Sequence, residues 1–323
     1  MKKITVSAPG KLMLFGEHAV LYGRPCIVTS VGQRMKAIVE LTDEPIFSLE
    51  APDVNVEGYK KAIEDVGVGE IPKGAKFVEV AIKNFLEKYP FGGGVMVKSA
   101  SEFSSEFGFG SSSASTVCTV YALVELTGAK LDSKAIFDLA FKTVLDIQGK
   151  GSGFDVAAAI FGGTLYYITP GKVIEPLNIY SLPLIVGYSR LKFDTVTLVN
   201  QVSKLSEKYP QVIENVYSQI EKLVAQAKMA LLNKDWQLLG ELMNFNEGLL
   251  SVLGVEGKKL ADMIYGARDG GAYGAKLSGS GIGDCMIAIA PEEKVQAVKA
   301  AITEVGGQVI DVETNVEGVR VEG

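Results

Sequence analysis

Residues 106–126 constrain the fold of this chain more than any other stretch. The segment reads EFGFGSSSA at 106–114, and from Ser111 to Leu126 it continues as a helical run that is apolar almost all round. A helix with apolar side chains on every side must be buried, so other elements have to pack around it. Two glycines and three serines stand directly at its start, which indicates either a helix N-cap or a site for a bound anion.

Strands and helices are both predicted in each half of the chain. Strands are predicted in the first half by short β-branched or alternating runs, at Ile4–Ser7, Leu12–Phe15, Cys26–Ser30 and Lys36–Leu41. Helices are predicted by apolar residues at helical spacing, at Val78–Tyr89, at Ser133–Gln148 with a serine cap, at Gln201–Leu232 and at Trp236–Leu253. Mixed elements in each half predict an α+β fold of two domains, residues 1–181 and 182–323.

Composition and charge exclude several classes of protein. The 323 residues carry 32 Lys and Arg against 38 Asp and Glu, a net charge of −6 without a basic block, so no nucleic-acid partner is expected. The N-terminus lacks the apolar core of a signal peptide, and no run is long enough to span a membrane. Three separate cysteines and a single histidine give no zinc pattern. We therefore expect a soluble cytoplasmic protein that does not bind membranes.

Two further glycine-rich stretches carry side chains that could do chemistry. In Gly149–Asp155 the carboxylate of Asp155 follows a tight glycine turn, where it could be an N-cap or a catalytic group. Gly149–Asp155 is the second glycine stretch of the chain, and the third glycine loop, Ser278–Asp284, could be a turn between a helix and a strand or a loop that closes on a ligand. Near the N-terminus, SAPGKLMLFGEH contributes Lys11 and the only histidine, His18. Each motif alone leaves the structural and the functional interpretation open.

Taken together and in order, these motifs resemble those of a known family. APGK…FGEHAVLYG, GFGSSSA, GSGFD and GAKLSGSG follow one another over most of the chain, as they do in the GHMP small-molecule kinases. Within that family, GEHAVLYGRP is similar to the mevalonate kinases. The resemblance implies a two-domain fold with the active site in the cleft between the domains. It also implies ATP and Mg²⁺ as cofactors and transfer of phosphate to the 5-hydroxyl of mevalonate in isoprenoid biosynthesis, by an enzyme that could be a homodimer.

The resemblance also assigns roles to individual residues. Asp155 would accept the proton of the attacking hydroxyl, and Lys11 would stabilise the developing charge. The acceptor would lie near Glu17, His18 and Thr195. Ser112 would also ligate Mg²⁺. The nucleotide would be bound by residues of the two glycine loops, namely Glu106, Phe107, Gly108, Phe109, Gly110, Ser111, Ser112, Gly279, Ser280 and Gly281.

The metal site departs from the family pattern. Mevalonate kinases usually carry a glutamate that ligates the metal eleven residues before the catalytic aspartate, and that position is Val144 here. Asp146 is two residues further on, about 200° round a helix, and so points elsewhere. Either Ser112, phosphates and water hold the metal, or Glu106 substitutes.

Other departures keep alternative functions open. Phe193 stands where an arginine is common two residues before the family threonine, with Arg190 and Lys192 as replacements, and Asp284 stands where glycine is frequent. GKGSGFDVAAA looks more like the phosphomevalonate kinases, for which Lys150 would be a further basic residue. A phosphomevalonate kinase is therefore the main alternative. Others are a decarboxylase, another GHMP sugar or polyol kinase, and a non-catalytic ligand sensor on this fold.

Overall fold

The computed structural model describes residues 2–180 and 182–322. Within these residues the strands are β1 (Lys3–Phe15), β2 (Cys26–Thr42), β3 (Ile46–Ala51), β4 (Val56–Ala62), β5 (Gly94–Ser101), β6 (Thr164–Ile168), β7 (Val173–Leu177), β8 (Leu184–Tyr188), β9 (Gly274–Ser278), β10 (Cys285–Ile289), β11 (Gln308–Ile310) and β12 (Arg320–Val321). The α-helices are α1 (Lys76–Lys88), α2 (Ser111–Thr127), α3 (Ser133–Gln148), α4 (Phe154–Phe161), α5 (Thr195–Lys208), α6 (Pro210–Asn233), α7 (Trp236–Val252), α8 (Lys258–Asp269) and α9 (Val295–Glu304).

A large sheet is formed mainly by the first half of the chain. Its strands run in the order β12-β1-β2-β5-β3-β4, and β6 joins β2 and β7. The strands β1 and β2 pair in antiparallel fashion from Lys3 opposite Glu40 to Phe15 opposite Ile27. The four short strands predicted within 4–41 are parts of these two long strands. The register shifts after Pro9 and again after Met13, and such irregularities redirect the side chains beside them.

A smaller antiparallel sheet belongs to the second half, in the order β11-β8-β10-β9. Helix α7 packs on β9, and α8 and α9 pack on the same sheet. After β11 the chain returns to the first sheet, where Val6 pairs with Val321 of β12. The predicted division at 181/182 remains a prediction, and Ser181 itself lies outside the described residues.

Helix α2 is the centre of the first layer of helices, as its all-round apolar character predicts. It packs against β1 and β2 on one side and contacts α1, α3 and α4. Val117, Cys118, Val120 and Leu123 are fully buried. Burial of a Val or Leu side chain contributes roughly 1.5–3 kcal/mol, so this helix and the sheet stabilise each other.

Two predicted helix details are wrong. The long helix predicted at 201–232 is two helices, because Pro210 begins α6 directly after α5 ends at Lys208. Proline lacks the N–H that an unbroken helix would need there. Helix α3 is capped by Asp132, not by a serine, since Asp132 Oδ1 accepts from the N–H of Ala135 at 2.8 Å.

The three cysteines are free and buried, as their apolar sequence context predicts. Over residues 2–180 and 182–322, no helix is long and apolar enough to cross a membrane.

Candidate active site

The loop predicted to bind phosphate leads straight into the N-terminus of α2. Gly110 is the residue before the helix and has a φ of 80°, which glycine adopts without strain. No side chain caps this end, and Ser111 and Ser112 form the first turn, both half-buried. The first N–H groups of a helix have no partner within the helix and attract anions. The entrance to α2 therefore has the features of an anion site and lacks those of an ordinary side-chain N-cap.

Lys11 of β1 is bound to this loop by its backbone and by its side chain. Its N–H donates to the carbonyl of Phe109 at 3.0 Å, and its Nζ donates to the carbonyl of Gly108 at 2.6 Å. Gly10 allows this approach, because a Cβ there would lie 3.1 Å from the Cβ of Phe109. Burial lowers the pKa of Lys11, and the charges of Asp155 and Asp284 oppose that shift.

Asp155 lies in the first turn of α4, near Gly110 and Lys11. A Cβ on Gly110 would be 3.2 Å from Lys11 Cε and 3.8 Å from Asp155 Cβ, so both side chains lie beside Gly110. Asp155 Oδ2 accepts from the hydroxyl of Ser113 at 2.5 Å, and its Oδ1 accepts from the N–H of Val156 at 3.0 Å. The structure thus brings together the predicted base, the predicted lysine and the serine-rich loop.

Asp284, at the end of the third glycine loop, also lies against the phosphate loop. A Cβ on Gly108 would lie 2.7 Å from Asp284 Oδ2, so the carboxylate packs directly on the phosphate loop. Asp284 is buried and pairs with Lys192 at 3.3 Å. Burial raises the pKa of Asp284, and Lys192 and then Lys11 oppose the shift. Lys192, an expected replacement for the family arginine, therefore lies at the site.

A second polar group is centred on Glu17, where the two sheets meet. Glu17 and Lys276 of β9 form an ion pair in which both side chains are fully buried. Burial raises the pKa of the Glu17 carboxyl, and Lys276 opposes the shift. Among the described residues, Glu17 Oε2 has no hydrogen-bond partner. A buried oxygen without a partner is costly and is a natural contact for a ligand hydroxyl.

His18 and Thr195 approach the same glycine loop at Ser280. His18 Nε2 donates to the carbonyl of Ser280 at 2.9 Å, and Thr195 Oγ1 lies 3.4 Å from Ser280 Oγ. His18 is buried, and burial lowers its pKa against the opposing effect of the Ser280 carbonyl. Its Nδ1 has no partner within the described part of the chain. The three residues predicted to contact the acceptor are therefore close to one another, with Gly279 and Gly281 flanking Ser280.

The first residues of the phosphate loop contact the second sheet. Glu106 is exposed, and its Oε2 accepts from the hydroxyl of Tyr188 at 3.3 Å. The carbonyl of Phe107 accepts from Cys285 Sγ at 3.2 Å, and the Phe107 ring lies 4.9 Å from that of Tyr188. The loop is thus attached to both sheets.

Position 144 cannot supply a metal ligand. Val144 is buried and adjoins the second glycine stretch, with its Cγ1 3.5 Å from where a Gly151 Cβ would lie. Asp146 faces away from the loop, towards Asn84, whose Nδ2 donates to it at 2.9 Å, and Lys142. Over the described residues, no group of three or more His, Cys, Asp or Glu side chains is arranged to hold a metal.

Sequence reasoning missed the roles of Ser113 and Lys276. Both lie inside motifs that were identified, but their partners are far away in the chain, 42 residues for Ser113 and 259 for Lys276. A lysine within the otherwise small and apolar run GAKLS was a signal for Lys276, because an unpaired buried lysine is costly. Nothing in the local sequence separates Ser113 from the two serines before it.

The sequence matches two parts of one family of kinases. Residues 76–163 match the GHMP kinases N terminal domain, and residues 227–308 match the GHMP kinases C terminal. These segments contain the phosphate loop, Asp155 and the third glycine loop. The chain belongs to the GHMP kinases.

Within the GHMP kinases, the chain is similar to individual mevalonate kinases. The chain is 37% identical over 333 residues to the mevalonate kinase of Pyrococcus horikoshii, a match that covers 100% of this chain and 98% of that one. It is 36% identical over 332 residues to the mevalonate kinase of Thermococcus gammatolerans, covering 99% and 98%. The crystal structure of the Methanococcus jannaschii mevalonate kinase superposes with a TM-score of 0.81 at 25% identity, covering 97% of this chain and 98% of that one.

Proposed function

We propose that this protein transfers the γ-phosphate of ATP to the 5-hydroxyl of mevalonate, giving 5-phosphomevalonate. The observation that carries the proposal is the convergence of Lys11 and Asp155 beside Gly110, at the uncapped start of α2. The relatives in Pyrococcus horikoshii and Thermococcus gammatolerans are mevalonate kinases that match this chain over nearly their full length, and they support mevalonate as the acceptor.

The start of α2 would hold the phosphates of ATP. Its free N–H groups and the positive end of its dipole favour the triphosphate, and the glycines at 108 and 110 let the backbone come close. The loop at 279–281 would close over the phosphates from the other sheet. Lys192 and Lys11 add positive charge beside the phosphate loop at 106–112, where both are attracted by Asp284. A protein with a net charge of −6 would in this way concentrate positive potential where the nucleotide needs it.

The transfer itself requires one proton acceptor and stabilisation of charge. The 5-hydroxyl oxygen attacks the γ-phosphorus, its proton passes to the carboxylate of Asp155, and the bond from the γ-phosphorus to the leaving oxygen of ADP breaks. Lys11, which lies beside Gly110 together with Asp155, would stabilise the charge that develops during the attack. Glu17 Oε2 and His18 Nδ1, both buried without a partner among the described residues, would bind polar groups of the acceptor.

Mg²⁺ fits this site as an ion bound mainly by the nucleotide. Such an ion takes one or two protein oxygens and several phosphate and water oxygens, and it would neutralise phosphate charge. The half-buried Ser112 in the first turn of α2 would supply a hydroxyl. Glu106, the alternative donor, is exposed and contacts the Tyr188 hydroxyl.

Phosphomevalonate is the less supported acceptor. A second phosphate would need basic partners in addition to those proposed for ATP, and the candidate Lys192 is already placed beside the nucleotide loop, where it pairs with Asp284. Lys150, another candidate, donates to Asn200 Oδ1 at 2.9 Å. We also propose, on the family resemblance, that the chain divides at 181/182 and that the site lies in the cleft between the two parts.

The test is a coupled assay of ADP release with Mg·ATP, with mevalonate and 5-phosphomevalonate as separate acceptors. We expect turnover on mevalonate alone. The variant Asp155→Asn should lose at least about 100-fold in kcat, the lower range for a general base, while it still binds ATP. Turnover only on 5-phosphomevalonate would overturn the choice of acceptor. Retained turnover in Asp155→Asn would remove Asp155 from the role of base.

A further inference from the structure

The side-chain hydroxyls of helix α2 that donate hydrogen bonds are of two kinds. Thr116, Thr119 and Thr127 donate to the carbonyl four residues earlier, at 2.9, 2.9 and 2.7 Å. This is the usual contact of a hydroxyl inside a helix, and it serves the helix alone. Ser113 differs, because its hydroxyl leaves the helix and donates to Asp155 Oδ2 at 2.5 Å.

Ser113 is enclosed at this point. It is only 3% exposed, so water cannot readily replace its contact with the carboxylate. A hydroxyl that donates to an ionised carboxylate at this separation makes a short, charge-assisted hydrogen bond, about twice as strong as a neutral one. With the N–H of Val156 on Oδ1, each oxygen of Asp155 has one donor from the protein.

These two contacts fix the orientation of the carboxylate without using up its capacity. Each carboxylate oxygen has about two acceptor positions, so one remains on each oxygen for an incoming proton. General-base catalysis is sensitive to the position of the base, and a misplacement of about 1 Å can cost roughly 100-fold in rate. Of these two contacts, only the one from Ser113 links α4 to the phosphate-binding helix α2.

We propose that Ser113 is a positioning residue for Asp155, which couples the base to the helix that binds the phosphates. Its hydroxyl holds the carboxylate at a set distance from the N-terminus of α2, and therefore from the γ-phosphate that this end would bind. The proposal rests on the proposed function, because it takes Asp155 as the base. It adds a residue that acts through Asp155 and does not touch the substrates.

The test compares Ser113→Ala with Ser115→Ala. Ser115 undergoes the same chemical change on the same helix, two positions on and about 200° round. For Ser113→Ala we expect kcat on mevalonate to fall about 10- to 100-fold, within the range for a misplaced base, with KM for ATP changed less than about twofold. Ser115→Ala should keep the parent kcat. Thermal unfolding of both variants reports whether either has lost stability in general.

A second pair of variants separates positioning from structure. Asp155→Glu keeps a carboxylate but places it one methylene further from the backbone, which should break the contact with Ser113. If Ser113 acts through Asp155, adding Ser113→Ala to Asp155→Glu should lower kcat by less than about twofold further, since coupled residues are not additive. A full additive loss in the double variant, or an unchanged kcat in Ser113→Ala, would overturn the proposal.

Failure of the proposed function would look different. If Asp155→Asn keeps its turnover, Asp155 is not the base, and the role of Ser113 fails with it. If Asp155→Asn is inactive while Ser113→Ala equals the parent, only the role of Ser113 is wrong.

Discussion

Glu247 of α7 should make the stability of this protein depend on pH in an unusual direction. Its side chain is buried, its Oε2 accepts from the N–H of Leu277 at 2.8 Å, and its Oε1 has no partner in the described part of the chain. Burial raises the pKa of Glu247 to about 7, against the opposing effects of the Leu277 N–H and Lys276. The carboxyl is thus protonated in the folded chain at a pH where it is ionised in the unfolded chain.

The sign and the size of this pH dependence follow from the linkage between proton binding at Glu247 and folding. A folded pKa of about 7, above the ordinary value of 4.5 for glutamate, means that the folded state binds the proton more tightly. The stability gained is complete below pH 4.5 and is lost as the pH rises through about 7. Between about pH 5 and pH 8.5 the loss amounts to about 2.5 kcal/mol in the free energy of unfolding.

The variant Glu247→Gln removes this titration and keeps an oxygen for the Leu277 N–H. Measured by urea unfolding, its stability relative to the parent should rise by about 2.5 kcal/mol from about pH 5 to pH 8.5. Glu241→Gln is the matched control, an exposed glutamate on the same helix, and its difference from the parent should not change with pH. If the difference for Glu247→Gln varies by less than about 0.5 kcal/mol over that range, the burial argument is refuted.

Two other predictions concern stability. Lys276→Met leaves the buried Glu17 without its counter-ion and should cost about 3–5 kcal/mol in urea unfolding, whereas adding Glu17→Gln should recover part of the loss; a cost below about 1 kcal/mol would mean that the pair is not desolvated. Asp132→Ala removes the cap of α3 and should cost about 1 kcal/mol. Ser133→Ala, the adjacent control, should change stability by less than about 0.5 kcal/mol, and equal effects of the two would contradict the assignment of the cap.

Most of the predicted site residues belong to the sequence motifs, and the structure brings them together in two groups. Lys11, Asp155 and the loop at 106–112 come together at the start of α2, and Glu17 and His18 come together near the third glycine loop. Their roles in catalysis remain predictions, and the assay of Asp155→Asn tests the role of Asp155. The local sequence could identify these residues because glycine turns, helix starts and motif order are encoded over a few neighbouring positions.

Helix boundaries were determined by the sequence less completely. A proline within a long periodic run signals a break, and Pro210 begins a new helix where one helix was predicted. At α3 the choice between two adjacent capping residues depends on backbone geometry, and Asp132, with an extended backbone, takes the cap in place of Ser133.

By itself the sequence determined that the helix starting at Ser111 is buried and follows a glycine-rich entrance, because periodicity and turn chemistry are local properties. The sequence left open whether that entrance is capped, and the structure showed that no side chain caps it. Only the tertiary structure decided that Ser113 meets Asp155, that Lys276 meets Glu17 across 259 residues, and that the second glycine loop lies beside the first. Such pairs depend on how sheets and helices pack, and packing joins residues whose separation in the chain carries no information about their distance in space.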